Sequence, residues 1–148
     1  MLKSLLIIFL SAWGVFFIDQ NIKTIFLDGF RWYGDFFSLI LTFNKGVAFS
    51  MFAFLQEDLK YMQLILLLCI GMYLVYEKQL LSRYALSIGI ILGAGSSNLY
   101  DRFIHGGVVD YIFWHRWFEF AVFNFADVMI NVGVISALLV AYMRGKKI

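Results

Sequence analysis

The chain has 148 residues, of which 62% are hydrophobic, 20% aromatic and only 15% charged. A water-soluble domain carries about a quarter charged residues, spread through the chain; that class is excluded. The net charge of +2 is too small to suggest nucleic acid as a partner. The single cysteine, Cys69, lies inside the apolar run LLLCIGM, cannot form an internal disulfide, and reads as a small buried hydrophobe. With no proline, no internal repeat and no low-complexity tract, residues 1–148 read as a single integral membrane domain.

Four charge-free stretches follow in chain order: 4–18, 61–76, 84–100 and 128–143, which by their end numbers run 15, 16, 17 and 16 residues. Spanning the hydrocarbon as a helix takes about 20 residues, so each helix must run on about a turn and carry polar residues to membrane depth. The first stretch follows Lys3 but lacks a small-x-small cleavage site, and Asp19-Gln20-Asn21 comes next; it reads as an uncleaved helix. The expected fold is an all-α membrane protein of four transmembrane helices, with a small extracytoplasmic β/loop segment on the membrane surface. That segment, 30–55, alternates aromatic and polar residues around glycines and reads as short strands or turns. Irregular backbone cannot face lipid, so it belongs in the headgroup zone or against the helices.

Lysine and arginine set the orientation. Lys3, Lys78, Arg83, Arg144, Lys146 and Lys147 fall on one side with a single acid, Glu77. That side is assigned to the cytoplasm, with both termini inside, and the segments 19–60 and 101–122 face outward.

Polar residues gather on the outward ends of three helices: Asp19, Gln20 and Lys23; Asn98, Asp101 and Arg102; Asn124, Asp127 and Asn131. Asp19 and Lys23 are four apart and can pair on one face, as can Asn98 and Arg102. Asn124, Asp127 and Asn131 form one stripe. An ionisable residue at this depth costs a few kcal/mol, less near the interface, and usually faces a partner or a cavity. Snorkelling to the headgroups is the plain alternative for Asp19 and Lys23. It suits Asp127 less, flanked as it is by Phe125, Met129 and Ile130. Asp110, in the outward loop, is by itself an ordinary solvated residue. It gains interest if that loop folds back over the helix ends to meet Asp127. Two adjacent carboxylates cannot easily both ionise, so one keeps a proton and the pair supplies an acid and a base at one pH.

The stretches D-Q-N-I-K (19–23), N-K-G-V-A-F-S (44–50), G-A-G-S-S-N-L-Y-D-R (93–102), H-G-G-V-V-D-Y-I (105–112) and F-N-F-A-D-V-M-I-N-V-G (123–133) resemble the lipoprotein signal peptidases, or signal peptidase II, in the family's order and spacing. The resemblance implies an aspartic endopeptidase of the bacterial cytoplasmic (inner) membrane with its active site near the outer face. It would cleave diacylglyceryl-modified prolipoproteins just before the lipid-bearing cysteine. By the same resemblance Asp110 and Asp127 are the catalytic dyad. Asn98, Arg102 and Asn124 position the dyad and the substrate backbone, Asn44 touches the substrate peptide, and Asp19 with Lys23 is a supporting pair. No metal or cofactor is implied; the expected partners are diacylated prolipoproteins, membrane lipid and globomycin-type inhibitors. Ser97 stands where the family usually has glycine, and Val47 where it usually has alanine; only fine packing is at stake.

A metal hydrolase built on His105, His115 and the aspartates lacks any H-x-x-x-H or H-E-x-x-H spacing. A nucleophile pair of Ser96 or Ser97 with His105 lacks an elbow motif. A small transporter or proton-conducting protein would also place Asp, Asn and Arg at depth, but would keep polar residues on both sides of the midplane. Here the inner halves of the helices are almost bare. An inactive family member would not need both aspartates.

Overall fold

The computed structural model describes residues 1–46 and 58–145. In chain order these form α1 (Leu2–Leu27), β1 (Trp32–Tyr33), β2 (Phe37–Asn44), α2 (Asp58–Tyr76), α3 (Lys78–Arg83), α4 (Ala85–His105), β3 (Val108–Trp114) and α5 (Phe125–Gly145). Three helices, α1, α2 and α5, are long and apolar enough to cross a membrane. The fourth expected span, α4, has 21 residues, about 31 Å at 1.5 Å per residue, but its polar C-terminal end lowers its hydropathy.

Burial is inverted relative to a soluble protein. Leu2, Phe9, Trp13, Ile65, Met72, Leu138 and Tyr142 are exposed around the outside, whereas Asp19, Lys23, Asp101 and Asn124 are wholly buried. This is what a bundle does when its solvent is lipid: apolar surface needs no hiding, and polar groups must find each other. Helix α4 is the axis, and 12 of its 21 residues are buried. Its Gly89 and Gly93 lie against the backbone of α1 at Ile8 and Ala12, where an added Cβ would collide. Small residues at such a seam let helix backbones touch. On the other side, Gly133 of α5 packs on Ile91 and Ser87.

The three strands form an antiparallel sheet in the order β1-β2-β3. The pairs Phe37↔Trp114 and Leu39↔Ile112 give way to Thr42↔Asp110 and Asn44↔Val108 across an irregularity between Leu39 and Thr42. Gly106, at φ +71°, ends α4 in the left-handed conformation and turns the chain into β3.

Two expectations are corrected. Asp110 does not lie in a loop but in the middle of β3; the run VVDYIFW is β-branched and aromatic, and pairing with β2 holds it extended. Cys69, expected as a small buried hydrophobe, is exposed on α2, where lipid rather than protein can cover it. Residues 78–83 form the short helix α3, whose end Tyr84 also opens α4. The strands expected within 30–55 are found as β1 and β2. Residues 47–55 of that segment, Val47 included, lie outside the described residues, as do Lys146 and Lys147.

Candidate active site

The site is built where the C-terminal ends of α1 and α4 and the N-terminal end of α5 meet β2 and β3. At its base, the Lys23 ammonium lies 2.6 Å from Asp19 Oδ2 and 2.6 Å from Asp101 Oδ2. It also donates to Asn98 Oδ1 at 2.9 Å. Asp19 accepts from Ser97 Oγ at 2.6 Å and from the Ala126 backbone N–H at 2.9 Å. Asp101 accepts from Gln20 Nε2 at 2.7 Å and from the Val109 N–H at 3.0 Å. One buried cation thus ties α1 to α4, and its two carboxylates reach on to α5 and β3. Such a group is tolerated out of water only when paired and fully hydrogen-bonded. Among the described residues, every buried side-chain nitrogen and oxygen has a partner.

The start of α5 is fixed as tightly. A helix leaves its first N–H groups without internal partners. Here Phe125 N–H donates to the Tyr111 hydroxyl at 3.0 Å, Ala126 N–H to Asp19, and Asp127 N–H to Asn124 Oδ1 at 2.9 Å. Asp127 Oδ2 in turn accepts the Asn124 N–H at 3.1 Å. This is a reciprocal capping box with Asn in the cap position and Asp three residues on. The Tyr111 ring stacks on Phe26 of α1, centroids 4.2 Å apart. Burial raises the Tyr111 phenol well above its ordinary value, so it stays neutral.

Asn124 joins the two candidate aspartates. Its side-chain amide donates to Asp110 Oδ1 at 2.7 Å, while its backbone N–H donates to Asp127. Asp127 Oδ1 also accepts Asn98 Nδ2 at 2.9 Å, and Asp110 Oδ2 accepts Asn44 Nδ2 at 3.1 Å. Burial first, and then the nearby Asp127 carboxylate, push the Asp110 carboxyl up to about 7 against the opposing bonds from Asn44 and Asn124. A carboxyl poised near neutrality, beside a second one, can act as acid or base at physiological pH.

The sequence-derived residues Asp110, Asp127, Asn44, Asn98, Asn124, Asp19 and Lys23 therefore lie in one hydrogen-bonded cluster. Arg102 reaches it indirectly. The expected Asn98–Arg102 pairing is replaced: Asn98 turns to Lys23, Asn124 and Asp127, while Arg102 bonds Gln63 Oε1 at 3.0 Å and the Gly46 carbonyl. Asn131 is exposed and donates to the Asp127 carbonyl. The histidines lie apart from the aspartates. His115 contacts Ser38 Oγ at 2.9 Å, and His105 lies beside Phe43. No His/Cys/Asp/Glu grouping among the described residues could hold a metal ion.

Sequence reasoning placed Gln20 and Asp101 among the clustered polar residues without assigning them a role, and saw in Ser97 a packing residue rather than a member of the network. The signal was there: Ser97 and Asp101 are four apart on α4, so both face the same side of α1.

The protein-family model for signal peptidase (SPase) II matches residues 11–143. The chain belongs to the signal peptidase II family. It is 56% identical to the lipoprotein signal peptidase of Sulfurimonas denitrificans over 95% of this chain and 90% of that one. It is 54% identical to that of Wolinella succinogenes (89% and 90% covered) and 50% identical to that of Helicobacter pylori strain Shi470 (93% and 87% covered). A solved structure described as a bacterial membrane enzyme superposes with a TM-score of 0.72 at 23% identity, covering 99% of this chain and 90% of the other. That likeness shows a shared fold. Lipoprotein signal peptidases cleave signal peptides from prolipoproteins, and the several apolar helices make this peptidase a multi-pass membrane protein.

Proposed function

We propose that the peptidase is an aspartic endopeptidase with Asp110 and Asp127 as its dyad. On this reading it removes signal peptides from diacylglyceryl-modified prolipoproteins just before the lipid-bearing cysteine. The observation that carries this is the sharing of Asn124 by two carboxyls, Asp110 buried and raised to about 7 and Asp127 half-buried. Such a pair holds one proton between them near neutral pH and titrates as a unit. The ionised member takes a proton from water, whose oxygen attacks the scissile carbonyl carbon. The protonated member donates to the carbonyl oxygen as charge develops. When the C–N bond breaks, the proton gained from water passes to the leaving amine. Asn98, Asn124 and Asn44 hold the carboxyls in place, and Asp19 with Lys23 supports Asn98 from below.

Residues 1–148 form one domain with α4 as the fourth transmembrane helix, both termini are cytoplasmic, and the site lies at the outer face. Its cluster sits at the outer ends of α1, α4 and α5, so a substrate anchored by its acyl chains presents its peptide bond at that depth. Each buried acyl methylene contributes about 0.8 kcal/mol of anchoring. A transporter would want polar groups further along the helices; the Lys23 ion pairs lie at the same end of the bundle as the two candidate aspartates.

The deciding experiment is single-turnover cleavage of a synthetic diacylated prolipoprotein by Asp110→Asn and Asp127→Asn, with globomycin binding as the check on folding. Each substitution preserves shape but cannot exchange the proton, and should abolish cleavage with binding retained. The double variant should be hardly worse than either single one. Substantial cleavage by either variant removes that aspartate from the mechanism.

A further inference from the structure

Helix α2 carries one amide in its charge-free run, Gln63, and both ends of that amide are engaged. Its nitrogen donates to the Gly95 carbonyl of α4 at 3.0 Å, and its oxygen accepts Arg102 Nε at 3.0 Å. Arg102, buried, donates onward from Nη2 to the Gly46 carbonyl. The Gly46 N–H donates to Asn44 Oδ1 at 2.9 Å, and Asn44 Nδ2 donates to Asp110 Oδ2. Four hydrogen bonds thus lead without a break from α2 to one of the two carboxyls.

Each link has a directional consequence. An asparagine amide can present either its oxygen or its nitrogen to a neighbour, and the two choices have opposite effects on a carboxylate. The Gly46 N–H engages the oxygen of Asn44, which leaves the nitrogen to face Asp110. The carbonyl of the same residue is in turn held by Arg102. A guanidinium on a flexible stem takes one orientation only when more than one of its edges is bonded, and Gln63 supplies the bond at Nε.

We propose that Gln63 is a positioning residue for peptide hydrolysis, acting on Asp110 through Arg102, Gly46 and Asn44. The inference rests on the reading of Asp110 as a dyad member. It assigns α2, which otherwise only packs loosely on α4, a part in the reaction.

The rival role for Gln63 is purely interhelical, through its bond to Gly95. The two halves of the amide separate the roles. Gln63→Glu keeps an acceptor for Arg102 and loses the donor to Gly95; Gln63→Leu loses both. The test is steady-state cleavage of a diacylated prolipoprotein by the full-length protein in detergent or lipid, each variant also being scored for thermal unfolding. Gln63→Leu should lower kcat about 10-fold with KM within about twofold, since a misplaced catalytic group costs rate more than affinity. Gln63→Glu should recover most of that loss. In an Asn44→Ala background the Gln63→Leu change should cost less than about twofold more, because the link it feeds is already gone. Wild-type kcat in Gln63→Leu overturns the proposal, as does an equal loss in Gln63→Glu or the full 10-fold loss in the Asn44→Ala background. If Gln63→Leu unfolds, the comparison of Gln63→Glu with wild type, alone and with Asn44→Ala, still decides between the roles. Cleavage by Asp110→Asn is the separate result that removes the dyad reading itself.

Discussion

The two aspartates are held by supports of opposite character. Asp127 is reached from below by an ionic relay that is wholly buried: Asp19 and Asp101 hold Lys23, Lys23 holds the oxygen of Asn98, and the nitrogen of Asn98 faces Asp127. Asp110 is reached from the side by a relay of neutral groups and one arginine. It passes through Gly46 and the half-buried Asn44, at the end of a surface strand. In both, the last link is an asparagine whose oxygen is pinned so that its nitrogen meets the carboxyl. The first relay is part of what holds three helices together; the second depends on a strand end that carries little of the bundle's packing. Breaking the first should damage fold and reaction alike, whereas breaking the second should damage the reaction alone.

Lys23→Met is the harshest test of that contrast. It leaves two buried carboxylates without their cation, and removing one partner from a buried ion pair costs about 3–5 kcal/mol. The variant should show a large fall in melting temperature by thermal unfolding in detergent, with cleavage lost. A stable but inactive Lys23→Met would mean that the ionic relay serves chemistry more than architecture. Asn44→Ala should do the reverse, with cleavage down about 10- to 100-fold through misplacement of Asp110 and melting within a few degrees of wild type. A loss of stability comparable to that of Lys23→Met would erase the distinction.

Proton linkage sharpens the contrast at Asp110 alone. Its carboxyl is raised from the ordinary 3.8 to about 7 by burial and by Asp127, so the folded state favours the protonated form. Its contribution to stability is therefore full below pH 3.8 and is lost as the pH rises through about 7. The stability of wild type minus that of Asp110→Asn, followed by chemical unfolding across this range, should fall with rising pH. A flat difference would place the Asp110 carboxyl at an ordinary value. Ser97→Gly should have the smallest effect. It removes the hydroxyl that donates to Asp19 and puts glycine inside a helix, at about 1–2 kcal/mol together. Cleavage should remain within about twofold.

How much of this was legible in the sequence depended on whether a contact is local. Asp19 and Lys23 are one helical turn apart, and their pairing follows from that spacing. The joining of Asp110 to Asp127 required β3, and strand pairing between residues 64 and more positions apart, from Asn44 with Val108 onward, leaves only a weak local trace. Asn98 and Arg102 show the opposite failure: the spacing allowed a pair, but tertiary partners on α1, α2 and α5 took both side chains. Ser97 was read for its size alone, since a hydroxyl's role depends on which carboxylate stands opposite. The motif resemblance pointed to the proposed dyad; it contained no trace of Gln63, which looks like one polar interruption in an apolar helix.

The i, i+4 spacing of Asp19 and Lys23 also bears on how the chain is made. Asp101, the second carboxylate on that lysine, lies 78 positions later in the sequence. At a synthesis rate of roughly 5–20 residues per second, α1 waits several seconds in the bilayer before α4 exists. During that interval Asp19 is the one partner that travels with Lys23 on the same helix, and it offsets the ammonium's charge while the rest of the bundle is still in the ribosome. The arrival of α4 then brings Asp101, Ser97 and Asn98 together on one face, so the helix that closes the ionic network also delivers the asparagine that serves Asp127.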